Sequence, residues 1–127
     1  MNHKLKVGAR GEQLAKKYLE NRGYIFIAKN YKTKLGEIDI IMKDADSLVC
    51  IEVKTRNGIE FGYPEESVTN KKLSRIKKAM FQYKHDNQKY NKLKYRIDVI
   101  AVLFDHSRND ELSPEITHFS QHTQILN

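Results

Sequence analysis

The sequence predicts an α/β domain: a mixed β-sheet flanked by helices, with its core elements in the order α-β-β-β-α-β. Three observations carry that expectation. Apolar residues recur at helical spacing over residues 5–22 and again over 69–86. Three short apolar runs lie between those segments and a fourth follows the second, all bounded by turn residues. The chain has 127 residues, 39% of them hydrophobic, with seven tyrosines, which is enough for one domain with a substantial core.

In residues 5–22, Leu14, Ala15, Tyr18 and Leu19 form the apolar stripe and Gly23 follows at the stop position. Gly8, Glu12, Ala15 and Leu19 fall within a narrow arc of the helical wheel. Glu12 is therefore expected on the packed side, where a carboxylate costs free energy unless it has a partner. YIFIAKNY, residues 24–31, is an apolar strand, and residues 36–43 and 47–56 are the second and third. The last two read as a hairpin joined through Lys43, Asp44, Ala45 and Asp46. NGIEFGYPEES, residues 57–67, contains two glycines and a proline and reads as a loop. In residues 69–86, Leu73, Ile76, Ala79, Met80 and Tyr83 make one stripe, while Lys71, Lys72, Arg75 and Lys78 lie largely away from it. YRIDVIAVLF, residues 95–104, is a further strand, and EITHF is read as a short last one after a turn region. No repeat, low-complexity tract or linker divides the chain. It is read as a single domain over residues 1–120 with a tail over 121–127.

The net charge of +7 is unevenly laid out. Residues 1–34 carry nine Lys/Arg against two Asp/Glu, residues 35–66 three against eight, residues 67–96 ten against one, and residues 97–127 one against five. Two basic segments bracket an acidic one. That layout suits a cation site beside a polyanion-binding surface, and it also suits ordinary solvated helix faces. No stretch approaches the roughly 20 consecutive apolar residues of a membrane span. The start, MNHKLKVGARGEQ, has no apolar signal region, and the single cysteine, Cys50, excludes an internal disulfide. A cytoplasmic protein that does not enter membranes fits best.

The chemistry concentrates in GEIDIIMKDADSLVCIEVKT, residues 36–55. By strand alternation Glu37, Asp39 and Ile41 share one face, and Ile38, Ile40 and Met42 the other. In the next strand Cys50, Glu52 and Lys54 oppose Val49, Ile51 and Val53. Pairing as a hairpin brings Asp39 near Glu52, within reach of Glu12. Converging carboxylates repel unless a proton or cation intervenes. A hard divalent cation is the natural solution: Mg²⁺ commonly takes one or two carboxylates, keeps several waters and accepts phosphate oxygens. Lys54, roughly 7 Å along the face from Glu52, is placed to hold a water or steady developing phosphate charge. On spacing alone, exposed strand charges remain the alternative.

These residues resemble a known pattern. Asp39, then Glu52-Val53-Lys54, on successive strands after a helix carrying Glu12, is similar to the PD-(D/E)xK nuclease superfamily. Within it the chain resembles the small bacterial YraN-like family, described as Holliday-junction-resolvase-like. The segments GARGEQLAKKYL, NYKTKLGEIDII, LVCIEVKTR, FGYPEESV and RIDVIAV carry that resemblance across nearly the whole chain. It implies a restriction-endonuclease-like fold and a metal-dependent phosphodiesterase site. Asp39 and Glu52 would be ligands to Mg²⁺ or Mn²⁺, Lys54 the catalytic lysine, and Glu12 an accessory acid reaching metal directly or through water. Glu37 would take part or hold a basic residue such as Lys34 or Arg56. No proline precedes the acid, so Ile38-Asp39 stands for the "PD" element.

Thr55 and Arg56 follow the lysine at the expected mouth of the site, where Arg56 can clamp a phosphate. Lys71, Lys72, Arg75, Lys77 and Lys78 fit a phosphate-tracking face, with a solvated helix face as the alternative. His118 and His122 have zinc-like spacing but no second ligand pair. Cys50 has no histidine fixed beside it, which argues against a cysteine nucleophile. Tyr83, Tyr90 and Tyr95 suit core packing better than base stacking. The leading expectation is a Mg²⁺- or Mn²⁺-dependent endonuclease acting on branched or otherwise non-B DNA, its structure preference resting on the resemblance alone. The alternative is a non-catalytic nucleic-acid-binding protein; an RNA-directed role is weaker. A homodimer would suit cutting both strands of a junction.

Overall fold

The strand β3 (Ser47–Arg56) runs through the centre of the molecule, and its first seven residues are all buried. A strand covered on both faces needs neighbours on both edges and a layer above and below, and the rest of the chain supplies them. In the computed structural model the described residues are 3–60, 62–104 and 114–120, with side chains from residue 7 onward. The elements are α1 (His3–Glu20), β1 (Ile25–Lys32), β2 (Glu37–Asp44), β3, α2 (Asn70–Asp86), β4 (Lys94–Leu103) and β5 (Glu115–Phe119), with short 3-10 turns at Pro64–Ser67 and Gln88–Tyr90. The five strands form one sheet in the order β1-β2-β3-β4-β5. β1, β2 and β3 are antiparallel neighbours, β3 and β4 are parallel, and β4 and β5 are antiparallel. The sheet is therefore mixed. Its one parallel pair spans the long connection containing α2, because parallel neighbours cannot be joined by a tight turn.

Helix α1 ends at Glu20, two residues short of the expected range, and Gly23 closes it as expected. Gly23 adopts φ +93°, Tyr24 N–H returns to the Leu19 carbonyl at 3.0 Å and Gly23 N–H to that of Glu20 at 3.0 Å. That pattern satisfies the last helical carbonyls and favours glycine. Helix α2 opens on Thr69, whose side chain accepts Lys72 N–H at 3.2 Å. The turn between β2 and β3 is tighter than expected: Asp44 already pairs with Ser47, and Ala45 takes φ 52°.

Two apolar clusters form, one on each face of the sheet. On the α1 side, Ala15, Leu19 and Tyr24 pack with Ile40, Met42, Val49, Ile51, Val53, Ile100, Val102 and Phe104. On the α2 side, Leu73, Ile76, Ala79, Met80 and Tyr83 pack with Ile38, Ile41, Leu48, Cys50 and Ile97. Fully burying one Leu or Ile side chain contributes about 1.5–3 kcal/mol, so these clusters can tolerate a few costly polar groups between them. Tyr83, Tyr90 and Tyr95 belong to the α2-side core, as expected. One face assignment differs from expectation. Ile38 packs on the α2 side, while Ile40 and Met42 pack on the α1 side. The alternation breaks at Asp39. No helix among the described residues is long and apolar enough to cross a membrane.

Candidate functional site

The β2–β3 ladder ends at the Ile40–Ile51 pair, so the next residues along, Asp39 and Glu52, meet where the strands stop pairing. There the Asp39 carboxylate takes the place of a ladder carbonyl and accepts Val53 N–H through Oδ2 at 2.8 Å. The bond satisfies a strand donor that would otherwise be orphaned and fixes Asp39 against β3. Glu52 is 8% exposed in a strand that is otherwise apolar from Leu48 to Val53. Lys54 reaches it with Nζ 3.2 Å from Oε1.

The electrostatics follow from burial. Asp39 is pushed up to about 7, first by burial and then by the Glu52 charge, against the pull of the Val53 N–H and Lys54. Burial also raises Glu52, and Lys54 works against that rise. Glu12, on α1, is raised by burial and by Asp39. Asp39 therefore couples to each of the other two acids: the Glu52 charge raises Asp39, and the Asp39 charge raises Glu12. Glu12 and Asp39 line a cavity of about 370 Å³ between α1, β1 and β2. Glu52 and Lys54 continue the β3 row that carries Leu48 and Cys50 on the α2 side. Asp39 is the residue that meets both groups. No set of three or more His, Cys, Asp or Glu among the described residues is arranged as a metal-holding cluster.

The basic residues divide. Lys72 turns back to Lys54, and that contact, followed by partial burial, holds Lys72 below the ordinary lysine range. For Lys54, burial opposes the charge, and the Glu52 carboxylate beside it, helped by Asp39, outweighs that and raises the pKa. Lys71, Arg75 and Lys78 line a separate open groove on the α2 surface. Arg56 has a buried Nε without a hydrogen-bond partner. By strand alternation it shares the face of Glu52 and Lys54. Thr55 is on the other face, so close to Gly11 of α1 that a Cβ added there would collide with Thr55 Oγ1. The buried Cys50 thiol is pushed upward by desolvation, in keeping with an inert side chain.

A second polar network escaped the sequence reading. Asp98 on β4 is fully buried. Arg96 Nε donates to its Oδ1 at 3.1 Å, Tyr24 Oη donates to its Oδ2 at 3.2 Å, and His118 Nε2 lies 2.8 Å from the same oxygen. Arg96 also reaches Asp44 Oδ2 at 2.9 Å. His118 is thereby engaged with Asp98, while His122 lies outside the described residues. The one available signal was Arg96-Ile97-Asp98, two charges on one face of an apolar strand.

The comparisons with known proteins agree with one another. The model of the uncharacterised protein family UPF0102 matches residues 11–102. A UPF0102 protein of Clostridium botulinum (strain Loch Maree / Type A3) is 43% identical over 99 residues, covering 78% of this chain and 80% of the relative. One from Pelotomaculum thermopropionicum is 41% identical over 99 residues, covering 78% and 82%. One from Carboxydothermus hydrogenoformans is 43% identical over 96 residues, covering 76% and 80%.

Proposed function

The chain belongs to the UPF0102 family, and on that footing we propose that it is a metal-dependent endonuclease hydrolysing DNA phosphodiester bonds, with a preference for branched or otherwise non-B DNA. The restriction-endonuclease-like reading of its mixed sheet and the link to PD-(D/E)xK nucleases are part of the same proposal. The observation that carries it is the Asp39–Glu52 pair: a half-buried and a buried carboxylate at one strand end, the first fixed by Val53 N–H and the second by Lys54.

The donor set suits Mg²⁺ or Mn²⁺. Both side chains offer hard oxygens, burial raises the affinity of both for a positive charge, and two carboxylates suffice when water and phosphate complete the shell. Asp39 and Glu52 would hold the ion, with Glu12 reaching it directly or through water. When bound, such an ion neutralises phosphate charge and acidifies water. Lys54 keeps a positive charge beside the carboxylates, ready to steady a developing oxyanion. Arg56, half-buried at the end of β3, would turn its guanidinium to a phosphate oxygen. Lys71, Lys72, Arg75 and Lys78 would track the DNA backbone. Thr55, turned to α1, would position that helix instead of touching DNA.

A second reading, a non-catalytic DNA-binding protein, draws on one observation: Lys54 already neutralises Glu52, and the described residues contain no three-ligand cluster. A cleavage assay separates the two. Linear, flap and four-way-junction DNA would be incubated with Mg²⁺, Mn²⁺ or chelator, using wild type, Glu52→Ala and Lys54→Ala. Metal-dependent cutting that both substitutions abolish is the expected result. No cutting in any lane, with DNA binding unchanged by either substitution, would establish the second reading.

A further inference from the structure

The loop between β1 and β2, residues Thr33–Gly36, is rigidly built and carries an exposed apolar side chain into a cationic groove. Thr33 N–H donates to the Gly36 carbonyl at 2.8 Å, and Thr33 Oγ1 bonds to that same carbonyl at 2.9 Å. The same hydroxyl accepts Leu35 N–H at 3.1 Å and Gly36 N–H at 3.0 Å. Gly36 lies against the backbone of α2, where a Cβ would collide with the Arg75 carbonyl. The loop is therefore pinned at both ends. Its tip residue, Leu35, is 59% exposed. Around it Lys34, Lys71, Ser74, Arg75 and Lys78 form an open groove of about 440 Å³. Two short stretches of chain link the groove to the carboxylates: Gly36 leads into β2, which carries Asp39, and Lys72, next to Lys71, meets Lys54.

A leucine is an unusual choice for the tip of a groove with four cations. Cations bind phosphates without regard to base pairing, so Leu35 adds nothing to that task. An apolar side chain held rigidly among phosphate contacts can enter a gap between bases, as wedge residues do when they unstack a step. Unstacking is cheapest where pairing is already interrupted. We propose that Leu35 is a wedge that engages the unpaired or splayed bases of branched DNA while Lys34, Lys71, Arg75 and Lys78 hold the flanking backbone. This rests on the DNA reading above and assigns its structure preference to one side chain.

The test is fluorescence of 2-aminopurine placed at the branch point of a flap duplex, with linear duplex alongside and chelator present throughout. Wild type raises the emission and binds the flap roughly tenfold more tightly than the duplex, the scale of one stacking contact. Leu35→Ser loses both effects and keeps its duplex affinity; Leu35→Phe retains them. Arg75→Gln weakens both DNAs alike. A Leu35→Ser protein that opens and prefers the flap like wild type overturns the wedge, as does a wild type that leaves the emission unchanged. Cleavage plays no part in this measurement. Leu35-dependent opening by a protein that cuts nothing would sink the nuclease reading alone, and metal-dependent cutting by a protein whose Leu35→Ser variant opens and prefers the flap like wild type would sink the wedge alone.

Discussion

Asp39 belongs to β2 by sequence and to β3 by hydrogen bonding: its Oδ2 accepts Val53 N–H at 2.8 Å, between Glu52 and Lys54. The bond lowers the cost of ionising Asp39, but burial and Glu52 outweigh it and leave the group at about 7. A carboxyl held that far above its ordinary value makes stability depend on pH in a defined direction. The unfolded chain releases this proton near the ordinary value of 3.8, while the native state keeps it until about 7. Between those values the native state binds more protons, so this group's contribution falls as pH rises and stays low above about 7. In chelator at pH 8, Asp39→Asn should therefore melt above wild type, with the gap closing near pH 4. The scale is roughly 3–6 °C per kcal/mol for a domain of this size. Equal melting at both pH values would mean that Asp39 is not strained by its surroundings.

The same strain predicts a response to divalent ions. A cation bound by the native state alone stabilises by mass action, about 2.7 kcal/mol at a hundredfold excess over Kd. Mn²⁺ or Mg²⁺ in the millimolar range should raise the melting temperature of wild type at pH 8 and leave Asp39→Asn and Glu52→Gln unmoved. Thermal shift reads this without DNA or turnover. A wild type indifferent to both ions would remove the metal from the proposal.

Lys54 has two contacts of different chemistry, Glu52 at 3.2 Å and Lys72. If it steadies developing charge, Lys54→Met should lower kcat by about 10²-fold or more, the usual consequence of removing one such donor. Flap binding in chelator should change little, because the phosphate-tracking cations remain. A Lys54→Met loss confined to KM would mark the lysine as a binding residue.

Asp98 supplies a stability test far from this chemistry. Removing the carboxylate in Asp98→Ala leaves Arg96 and His118 without their buried acceptor, a kind of loss that costs about 3–5 kcal/mol. Urea denaturation should show it directly. A variant within 1 kcal/mol of wild type, on the order of a surface substitution, would mean that water reaches the network.

What the sequence revealed and what it hid divide along the same physical line. β3 and β5 match their expected ranges, and α2 is within one residue of its own, because apolar periodicity and capping residues are local signals. The approach of Asp39 to Glu52 follows from hairpin register, which two alternating strands largely determine. The side on which Ile38 packs was hidden, since the break in alternation arises from a carboxylate bonding across to Val53. Lys72 looked like its neighbours Lys71 and Arg75, and only the path of α2 over the sheet brings it to Lys54. Beyond Arg96 on its own strand, the partners of Asp98 are Tyr24 and His118, and Asp44 joins through Arg96; no spacing rule connects those three segments to Asp98.

The position of Glu12 depends on how closely α1 approaches β3, and Gly11 sets that approach. A Cβ at residue 11 would run into Thr55 Oγ1, with Thr55 Cβ and Cγ2 behind it at 3.2 and 3.3 Å. Gly11→Ala should therefore destabilise by about 1–3 kcal/mol through overpacking, despite the better helix propensity of alanine. Thr55→Ala removes the two side-chain atoms beyond Cβ and should recover most of the loss, giving a coupling energy well above the few tenths expected of independent sites. In the DNA assay Gly11→Ala should also lose cutting, because the helix that carries Glu12 has been pushed outward, and the double variant should regain it. If stability returns in the double variant and cutting does not, Gly11 serves the site in some way beyond letting α1 come close.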